Sequence, residues 1–340
     1  MKKVFIGIDF SKLKFDAAIY DGETNENIGS QVFDNEVTGF KDLIKWVCTK
    51  TKIKRNEWLF CGEHTGLYSF ALPVFLCKKG IDICLESGLQ IKRSQGIQRG
   101  KTDKIDAFRI AEYAYRHKDK LKTFNPLSKT IDGLKDMLAF RERLIKAKKM
   151  FVISSKELKL AKQTGIIAEY IHLDSDLEIK SLEAKIKSCE IKIKELIQSE
   201  LDLNTNYELL ISIKGIGLVN AATILAITAN FTLFTDPRKF GCYCGVVPFK
   251  YKSGTSIKGR TKISKLANKK VKALLTQAAR TCVMHDAEIK SYYQRKIAEG
   301  KSDKIVINNV RNKLIHRMFA VVTNNTMYDP NYLNPLRYAS

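Results

Sequence analysis

Four acidic residues stand where a folded chain would bring them together, and their chemistry suits a divalent cation beside a phosphate. Asp9 ends the apolar run of residues 4–8, and Glu63 follows a second apolar run that begins at Trp58. Asp103 and Asp106 are three residues apart, which places both on one face of a helix. Carboxylate oxygens are hard ligands that suit Mg²⁺ or Mn²⁺. Two such ions about 4 Å apart activate an attacking oxygen and stabilise a leaving one at a phosphodiester.

Each carboxylate taken alone also has an ordinary structural explanation. Aspartate at the junction of a strand and a turn is a common turn former, so Asp9 by itself decides nothing. Lys101 and Lys104 flank the aspartate pair, and an exposed, charge-paired helix turn is worth under about 1 kcal/mol. Four carboxylates that meet would repel one another and raise one another's pKa values, and bound cations relieve that repulsion. The functional interpretation therefore depends on the set.

The apolar pattern of the first 120 residues predicts the elements that must position this set. Apolar runs of strand length alternate with segments in which apolar residues recur at helical spacing. The runs at residues 4–8 and 15–19 predict a β-hairpin. Residues 87–100 are polar and contain glycine, which predicts a loop before a helix over residues 101–117. The pattern predicts an α/β sheet in which strand ends and helix starts converge on one edge.

Pro126 marks a boundary, after which a heptad pattern predicts two long helices joined by a turn region at residues 165–174. Their apolar seams are Met137, Leu144, Phe151 and Leu158 on the first helix and Ile179, Leu182, Ile186, Cys189, Ile193 and Leu196 on the second. This pattern is typical of a coiled coil, formed either within the chain or with another chain. We predict three domains: an α/β domain over 1–125, a helical coiled-coil hairpin for oligomerisation over 126–205, and a mostly helical domain over 206–340.

The third domain opens with a possible phosphate-binding turn. Lys214, Gly215 and Gly217 lie between two apolar helical segments, as in a helix-hairpin-helix unit whose exposed amides bind phosphates. The alternative is a tight helical turn that needs glycine at positive φ. The sequence leaves both interpretations open.

The charge balance of the chain indicates a polyanionic partner. Among 340 residues, 59 are Lys or Arg and 36 are Asp or Glu, which gives a formal net charge of +23. Such an excess repels itself without a polyanion, and nucleic acid is the leading candidate. No acidic residue lies between Asp236 and Asp286, whereas a solvated face interleaves both signs. The candidate nucleic-acid-binding residues of this stretch are Lys250, Lys252, Lys258, Arg260, Lys262, Lys269 and Lys270. We also expect Ser264 to cap the helix that follows.

The sequence argues against a membrane protein and against a secreted protein. No apolar run approaches the roughly 20 residues that cross a bilayer, and the first residues do not form a signal peptide. The eight cysteines include no CxxC pair, which predicts reduced thiols rather than disulfides or metal ligands. We expect a cytoplasmic protein without a membrane partner.

Five segments resemble one known family, in its order and spacing and over almost the whole chain. GIDFSKLKFDAAIYDG, GEHTGLY and KTDKIDAFRIAEYA resemble the DEDD, RNase H-like (RuvC-like) domain of the insertion sequence 110 family transposases. LISIKGIGLVNAATILA and FGCYCGVVPFKYKSGTSIKGRTKISKLANKKVKALL resemble the second transposase domain of that family. The resemblance implies that four acidic residues coordinate Mg²⁺, here Asp9, Glu63, Asp103 and Asp106.

The resemblance also implies a nucleophile, partners, an assembly and a bacterial, nucleoid-associated location. Ser253, just before Gly254, would attack DNA and form a covalent phosphoserine intermediate. A structured noncoding guide RNA would pair with donor and target DNA, and the chain would form a dimer that pairs into a tetramer. Composition alone does not separate Ser253 from Ser256. His64 departs from the family pattern, in which a small residue or proline is expected, and a structural role for it is favoured over a metal contact.

Three other functions are compatible with some of these residues. A hydrolytic RNase H-like nuclease of the Holliday-junction type needs the same carboxylates but no serine. A sugar-kinase or actin-like ATPase fits residues 7–11, but the second Asp-x-Gly hairpin and the glycine-rich adenosine loop of such a fold are not found. A non-catalytic RNA-binding protein would bind its partner without metal and leave DNA unchanged.

Overall fold

A computed structural model of the chain describes residues 2–96, 100, 102–160, 165–254 and 257–330. The chain divides into two compact units, Met1–Pro126 and Leu127–Ser340, and this division falls at the predicted Pro126 boundary. Lys101, which flanks the aspartate pair, and Ser256, the alternative to Ser253, lie outside the described residues. In the described part of the chain, no helix is long and apolar enough to span a membrane.

The first unit is built on one mixed five-stranded sheet. Its strands are β1 (Val4–Phe10), β2 (Lys14–Asp21), β3 (Glu26–Asp34), β4 (Trp58–Glu63) and β5 (Ile83–Glu86). They lie in the order β3-β2-β1-β4-β5. β1, β2 and β3 pair antiparallel, whereas β4 runs parallel to β1 and β5 parallel to β4. The prediction of an α/β sheet with an antiparallel hairpin is confirmed.

Helices and two hydrophobic cores complete the first unit. The helices are α1 (Val37–Thr51), α2 (Ala71–Lys78), α3 (Gly88–Ser94) and α4 (Asp103–Arg116). One core contains Phe15, Phe40 and Trp58, and the other contains Phe5 and residues of α4. The prediction of a loop over residues 87–100 is wrong for its first half, because α3 forms there around the buried side chain of Ile91.

The second unit is mostly helical, as predicted. Its helices are α5 (Lys129–Leu160), α6 (Ile166–Gln198), α7 (Leu201–Ile211), α8 (Leu218–Thr228), α9 (Pro237–Tyr243), α10 (Lys269–His285), α11 (Ala287–Ala298) and α12 (Asp303–Asn324). Between α9 and α10, an antiparallel hairpin is formed by β6 (Pro248–Ser253) and β7 (Ile257–Ile263). The side chain of Asn268 caps α10 by accepting hydrogen bonds from the Lys270 and Val271 amides. The prediction that Ser264 caps this helix is therefore wrong, and Ser264 Oγ instead accepts from the Leu266 amide.

Helices α5 and α6 pack against each other within the chain and run antiparallel. Arg141 Nε donates to Glu190 Oε1 at 2.8 Å, and Lys148 Nζ contacts Glu183 Oε1 at 3.0 Å. The seam between them buries Leu144, Leu182, Cys189 and Ile193 and continues into the core of the other helices of this unit. Of the two pairings that the heptads allowed, the intrachain one is present. A separate third domain and pairing between subunits stay predictions.

Candidate functional site

Asp9 and Glu63 are carried to the same edge of the sheet by two neighbouring parallel strands. Ile8 of β1 pairs with Gly62 of β4, so the next residue on each strand is a carboxylate. Both side chains are partly buried. The convergence that the strand pattern predicts for these two residues is present.

Helix α4 brings Asp103 and Asp106 to that edge because it rests directly on the backbone of β1. A Cβ at Gly7 would lie 2.1 Å from the carbonyl oxygen of Ala107 and 2.3 Å from the amide nitrogen of Ala111. The Thr102 side chain fixes the start of the helix by accepting a hydrogen bond from the Ile105 amide. The first turn of α4 therefore places both aspartates near the end of β1.

The four carboxylates are close enough to change the ionisation of Asp9. Burial raises the pKa of Asp9 to about 6, and the negative charges of Asp103, Asp106 and Glu63 contribute to the increase. An increase of this kind is what carboxylates that share a site produce. Residues from three separate segments thus form one electrostatic site.

Two charged residues of this site were missed in the sequence. Asp16 of β2 is the direct ladder partner of Asp9, and burial together with Asp103 raises the pKa of its carboxyl. Arg109 Nη1 forms an ion pair with Asp106 Oδ1 at 3.0 Å, and its Nη2 donates to the Gly100 carbonyl at 3.2 Å. The hairpin register would have identified Asp16, and the i,i+3 spacing on α4 would have identified Arg109 rather than Lys104 as the partner of Asp106.

Glu63 lies against the first residue of α3. A Cβ at Gly88 would lie 2.0 Å from Glu63 Oε1 and 2.4 Å from its Cδ. Any side chain at position 88 would therefore displace the Glu63 carboxylate. Gly88 is a positioning residue for Glu63 that the sequence pattern, which indicated a loop, did not reveal.

The chemistry of this donor set fits a divalent cation. Asp9, Asp16, Glu63, Asp103 and Asp106 present carboxylate oxygens, which Mg²⁺ and Mn²⁺ prefer. In the part of the chain that the structure describes, no three Asp, Glu, His or Cys side chains are already arranged to hold a metal ion. The carboxylates are close enough to influence one another's charge, but in the described structure no three of them point their oxygens at a common metal position.

The contacts of His64 support a structural role. Its Nδ1 accepts a hydrogen bond from the Gly66 amide at 3.3 Å. Its ring packs edge-on against Phe70, with ring centroids 5.2 Å apart. These contacts shape the turn after β4.

Ser253 is the last residue of β6, at the tip of the β6–β7 hairpin (residues 248–263), here called the basic hairpin. Its backbone pairs with Ile257 of β7, and the next residue, Gly254, has φ of +55° with open space around its Cα. The side chains of Ser253, Lys258 and Arg260 lie outside the described part of the chain.

The other predicted basic residues line an exposed surface on the hairpin and the start of α10. The exposed members are Lys250, Lys252, Lys262, Lys269 and Lys270. Lys270 Nζ contacts Glu142 Oε2 at 2.7 Å, so its charge is already partly compensated. Phe249 and Tyr251 are 49% and 66% exposed on β6, and aromatic faces beside cations are suited to stacking on bases. The sequence pattern alone did not identify these two aromatic residues as candidates.

Gly215 and Gly217 have different surroundings in the turn before α8. At Gly215, φ is +88° and a Cβ would lie 2.6 Å from Cys282 Sγ and 2.7 Å from the Ala278 carbonyl. Its small size therefore serves the packing of α10, which supports the structural alternative. Gly217 precedes α8 with open space around it, and Lys214 is exposed. Phosphate binding by Lys214 and by the amides of this turn stays a prediction.

Two protein-family models match the chain. A DEDD-type IS110 model, described as "Transposase", matches residues 6–155. A model described as "Transposase IS116/IS110/IS902 family" matches residues 207–294. The chain belongs to the IS110 family of transposases. As a member of this family it is a DNA-processing enzyme. The first match spans Asp9, Glu63, Asp103 and Asp106, and the second spans Ser253 and the basic hairpin.

Relatives of this transposase include proteins of similar length. The pilin gene-inverting protein of Moraxella lacunata is 26% identical over 333 residues, which covers 97% of this chain and 98% of the relative. An uncharacterized 43.6 kDa protein of the insertion element IS110 of Streptomyces coelicolor is 26% identical over 45% of this chain and 38% of its own length. Among solved structures, Thermus thermophilus RuvC in complex with a Holliday junction substrate covers 36% of this chain and 99% of its own, with 11% identity and a TM-score of 0.27.

Proposed function

We propose that this IS110-family transposase cuts and rejoins DNA, with a carboxylate site in its first unit and a serine nucleophile, Ser253, in its second. The observation that carries the proposal is the convergence of Asp9, Glu63, Asp103 and Asp106 at one sheet edge, where the pKa of Asp9 is raised to about 6. Strongly perturbed carboxylates in a cluster are typical of functional sites. The strand order β3-β2-β1-β4-β5 supports an RNase H-like fold for this unit.

The four carboxylates would hold Mg²⁺ or Mn²⁺. Bound there, the cation would neutralise charge on the scissile phosphate and favour the deprotonated form of an attacking oxygen. The chain itself supplies the orientation of the ligands. Arg109 holds the carboxylate of Asp106, and Gly88 leaves space for that of Glu63.

Ser253 would form a covalent link to DNA. Its oxygen forms a bond to phosphorus and loses its proton, while the bond from phosphorus to the departing DNA oxygen breaks and that oxygen gains a proton. Attack by a DNA hydroxyl on the phosphoserine then reverses the exchange, seals a new strand and returns the serine hydroxyl. The position of Ser253 at the tip of an exposed basic hairpin supports this role.

Rejoining distinguishes this function from hydrolysis. The Moraxella lacunata relative, which aligns over 98% of its length, is named for gene inversion, and an inversion requires that cut strands be resealed. A phosphoserine keeps the phosphoester bond that resealing uses. A hydrolytic nuclease of the Holliday-junction type would release free ends instead.

A structured noncoding guide RNA and a dimer or tetramer complete the proposal. Membership of the IS110 family and the net charge of +23, which suits more than one polyanion, support the RNA partner. Digestion of co-purified RNA with ribonuclease should abolish cleavage at the natural site, and addition of the transcript from beside the gene should restore it. Cleavage that is insensitive to both treatments would contradict guidance by RNA.

Denaturing gels test the chemistry. Wild type incubated with element-end DNA and Mg²⁺ should give a protease-sensitive protein–DNA adduct, which Ser253→Ala should lose. Ser264→Ala, at the residue directly after β7, is the control and should keep the adduct. Nicked ends without an adduct in wild type would establish hydrolysis and overturn the serine assignment.

The carboxylates are tested on the same gels. Asp9→Asn, Glu63→Gln and Asp106→Asn should each abolish cleavage while circular dichroism shows an intact fold. Asp42→Asn, at an exposed site on α1, should cleave as wild type does. Metal-dependent cleavage that persists in all three site variants would overturn the metal-site assignment.

A further inference from the structure

A cavity of about 570 Å³ lies between the base of the β6–β7 hairpin, α10 and α12, within the second unit. Helix α10 contributes Lys272, Thr276 and Arg280, which follow one another at four-residue spacing on one face. Helix α12 contributes Lys304, Asn308 and Arg311 from the opposite wall. Among the lining residues, four cationic side chains accompany a single carboxylate, that of Asp303.

The one carboxylate of the cavity is already engaged. Arg280 donates to both oxygens of Asp303, at 2.9 and 2.6 Å, and the Tyr293 hydroxyl donates to Asp303 Oδ1 at 2.7 Å. A bidentate arginine–carboxylate pair of this kind is geometrically specific. The pair therefore forms a fixed edge of the cavity and leaves little negative charge for its neighbours.

Neither Lys272 nor Arg311 forms an ion pair with a carboxylate in the described part of the chain, and Asp303, which attracts Arg311, is already bound by Arg280. Arg311 Nη1 donates to the neutral oxygen of Asn308 at 3.1 Å, and Arg311 Nε is buried without a hydrogen-bond partner in the described part of the chain. Burial lowers the pKa of Lys272 and that of Arg311, and the two side chains repel each other. Like charges held together in a partly buried space destabilise the fold unless an anion joins them.

We propose that this cavity is a phosphodiester-binding site, in which Lys272 and Arg311 grip one backbone phosphate of the DNA strand that lies along the β6–β7 hairpin. Pro248, Thr261 and Ile263 at the base of the hairpin form one wall of the cavity, so a strand on the exposed lysines of the hairpin continues into it. Arginine supplies paired N–H donors that match phosphate oxygens, and lysine adds a point charge. The site rests on the proposed nucleic-acid chemistry but not on Ser253 or the carboxylates.

Binding of a short DNA duplex in EDTA at rising KCl tests the site apart from cleavage. Lys272→Gln and Arg311→Gln should each weaken binding about tenfold and lower the slope of log affinity against log salt by about 1, the change expected for one lost phosphate contact. Lys290→Gln, at an exposed cation on α11, is the matched control and should change neither quantity. Lys272→Arg should restore most of the affinity. An unchanged slope in both glutamine variants would overturn the proposal.

Thermal unfolding separates binding from damage to the fold. Lys272→Gln should melt at a higher temperature than wild type because the repulsion from Arg311 is removed, although it binds DNA more weakly. Inorganic phosphate should raise the melting temperature of wild type more than that of Lys272→Gln. A response to inorganic phosphate together with unchanged DNA binding would mark a site for small anions only and overturn the phosphodiester assignment.

Discussion

Asp9 and Asp16 are direct partners across the β1–β2 ladder, so two carboxylates lie side by side on the same face of the sheet. Like charges directly opposite each other destabilise a strand pair. Burial raises the pKa of both groups, and both also respond to the charge of Asp103. The hairpin thus holds an arrangement that is unfavourable for folding and suited to a cation.

This pairing predicts how the stability of the metal-free protein depends on pH. The pKa of Asp9 is about 6 in the folded chain against an ordinary value of 3.8, so the folded state favours the protonated carboxyl. The free energy of unfolding in EDTA should therefore fall as pH rises from about 4 to about 7. Chemical denaturation at several pH values measures this slope.

Asp9→Asn should flatten that slope and raise stability near neutral pH, because it removes the charge that the fold disfavours. Asp42→Asn, at an exposed position, should leave the slope as it is in wild type. An Asp9→Asn variant that is less stable than wild type at neutral pH in EDTA would show that the carboxylates do not repel one another.

The sequence reveals those parts of the site that depend on local pattern. Asp9 and Glu63 were recognisable because each follows an apolar run of strand length, and Asp103 and Asp106 because of their helical spacing. Asp16 was not recognisable as part of the site, because an acidic residue in an alternating strand is typical of a position that faces solvent. Gly7 and Gly88 were not recognisable either, because their roles depend on segments that approach them only in the folded chain.

The sequence pattern did not predict the two strands of the basic hairpin, for a different reason. Strands are recognised by branched and aromatic residues in alternation, whereas residues 248–263 contain four lysines and four of the glycine and serine residues that usually indicate loops. Tertiary pairing between β6 and β7 therefore overrides a weak local preference. The cavity beside it joins α10 to α12, whose lining residues are 23 to 39 positions apart, and no local pattern predicts such a meeting.

Gly7→Ala should separate α4 from the sheet. Its Cβ would lie 2.1 Å from the Ala107 carbonyl, a backbone atom that cannot rotate away, so we expect a loss of about 3 kcal/mol in the free energy of unfolding. Gly29→Ala on β3 is the matched control, since its nearest neighbour would be 3.9 Å away, and it should change stability by under about 0.5 kcal/mol. Equal stability of the two variants in urea would contradict direct packing of α4 on β1.

Gly88→Ala should impair cleavage with little effect on DNA binding. The added methyl group displaces the Glu63 carboxylate, from which it would lie 2.0 Å, and a small displacement of a catalytic group reduces the rate on the order of 100-fold. Cleavage assays over a range of Mg²⁺ concentrations should show a higher metal requirement, while DNA binding in EDTA stays as in wild type. Gly29→Ala again serves as control. Cleavage by Gly88→Ala at the wild-type rate and metal requirement would remove Gly88 from the site.

Helix α6 presents neighbouring isoleucines that distinguish packing within the chain from packing between subunits. Ile193 is fully buried in the seam with α5, whereas Ile191 is 55% exposed. Ile193→Ala should therefore lower the free energy of unfolding by about 2–5 kcal/mol, and Ile191→Ala should change it by under about 0.5 kcal/mol. If the outer face of the hairpin joins subunits, Ile191→Ala should instead weaken the dimer in sedimentation experiments at low protein concentration. Dimers of equal strength in wild type and Ile191→Ala would place the subunit contact away from Ile191.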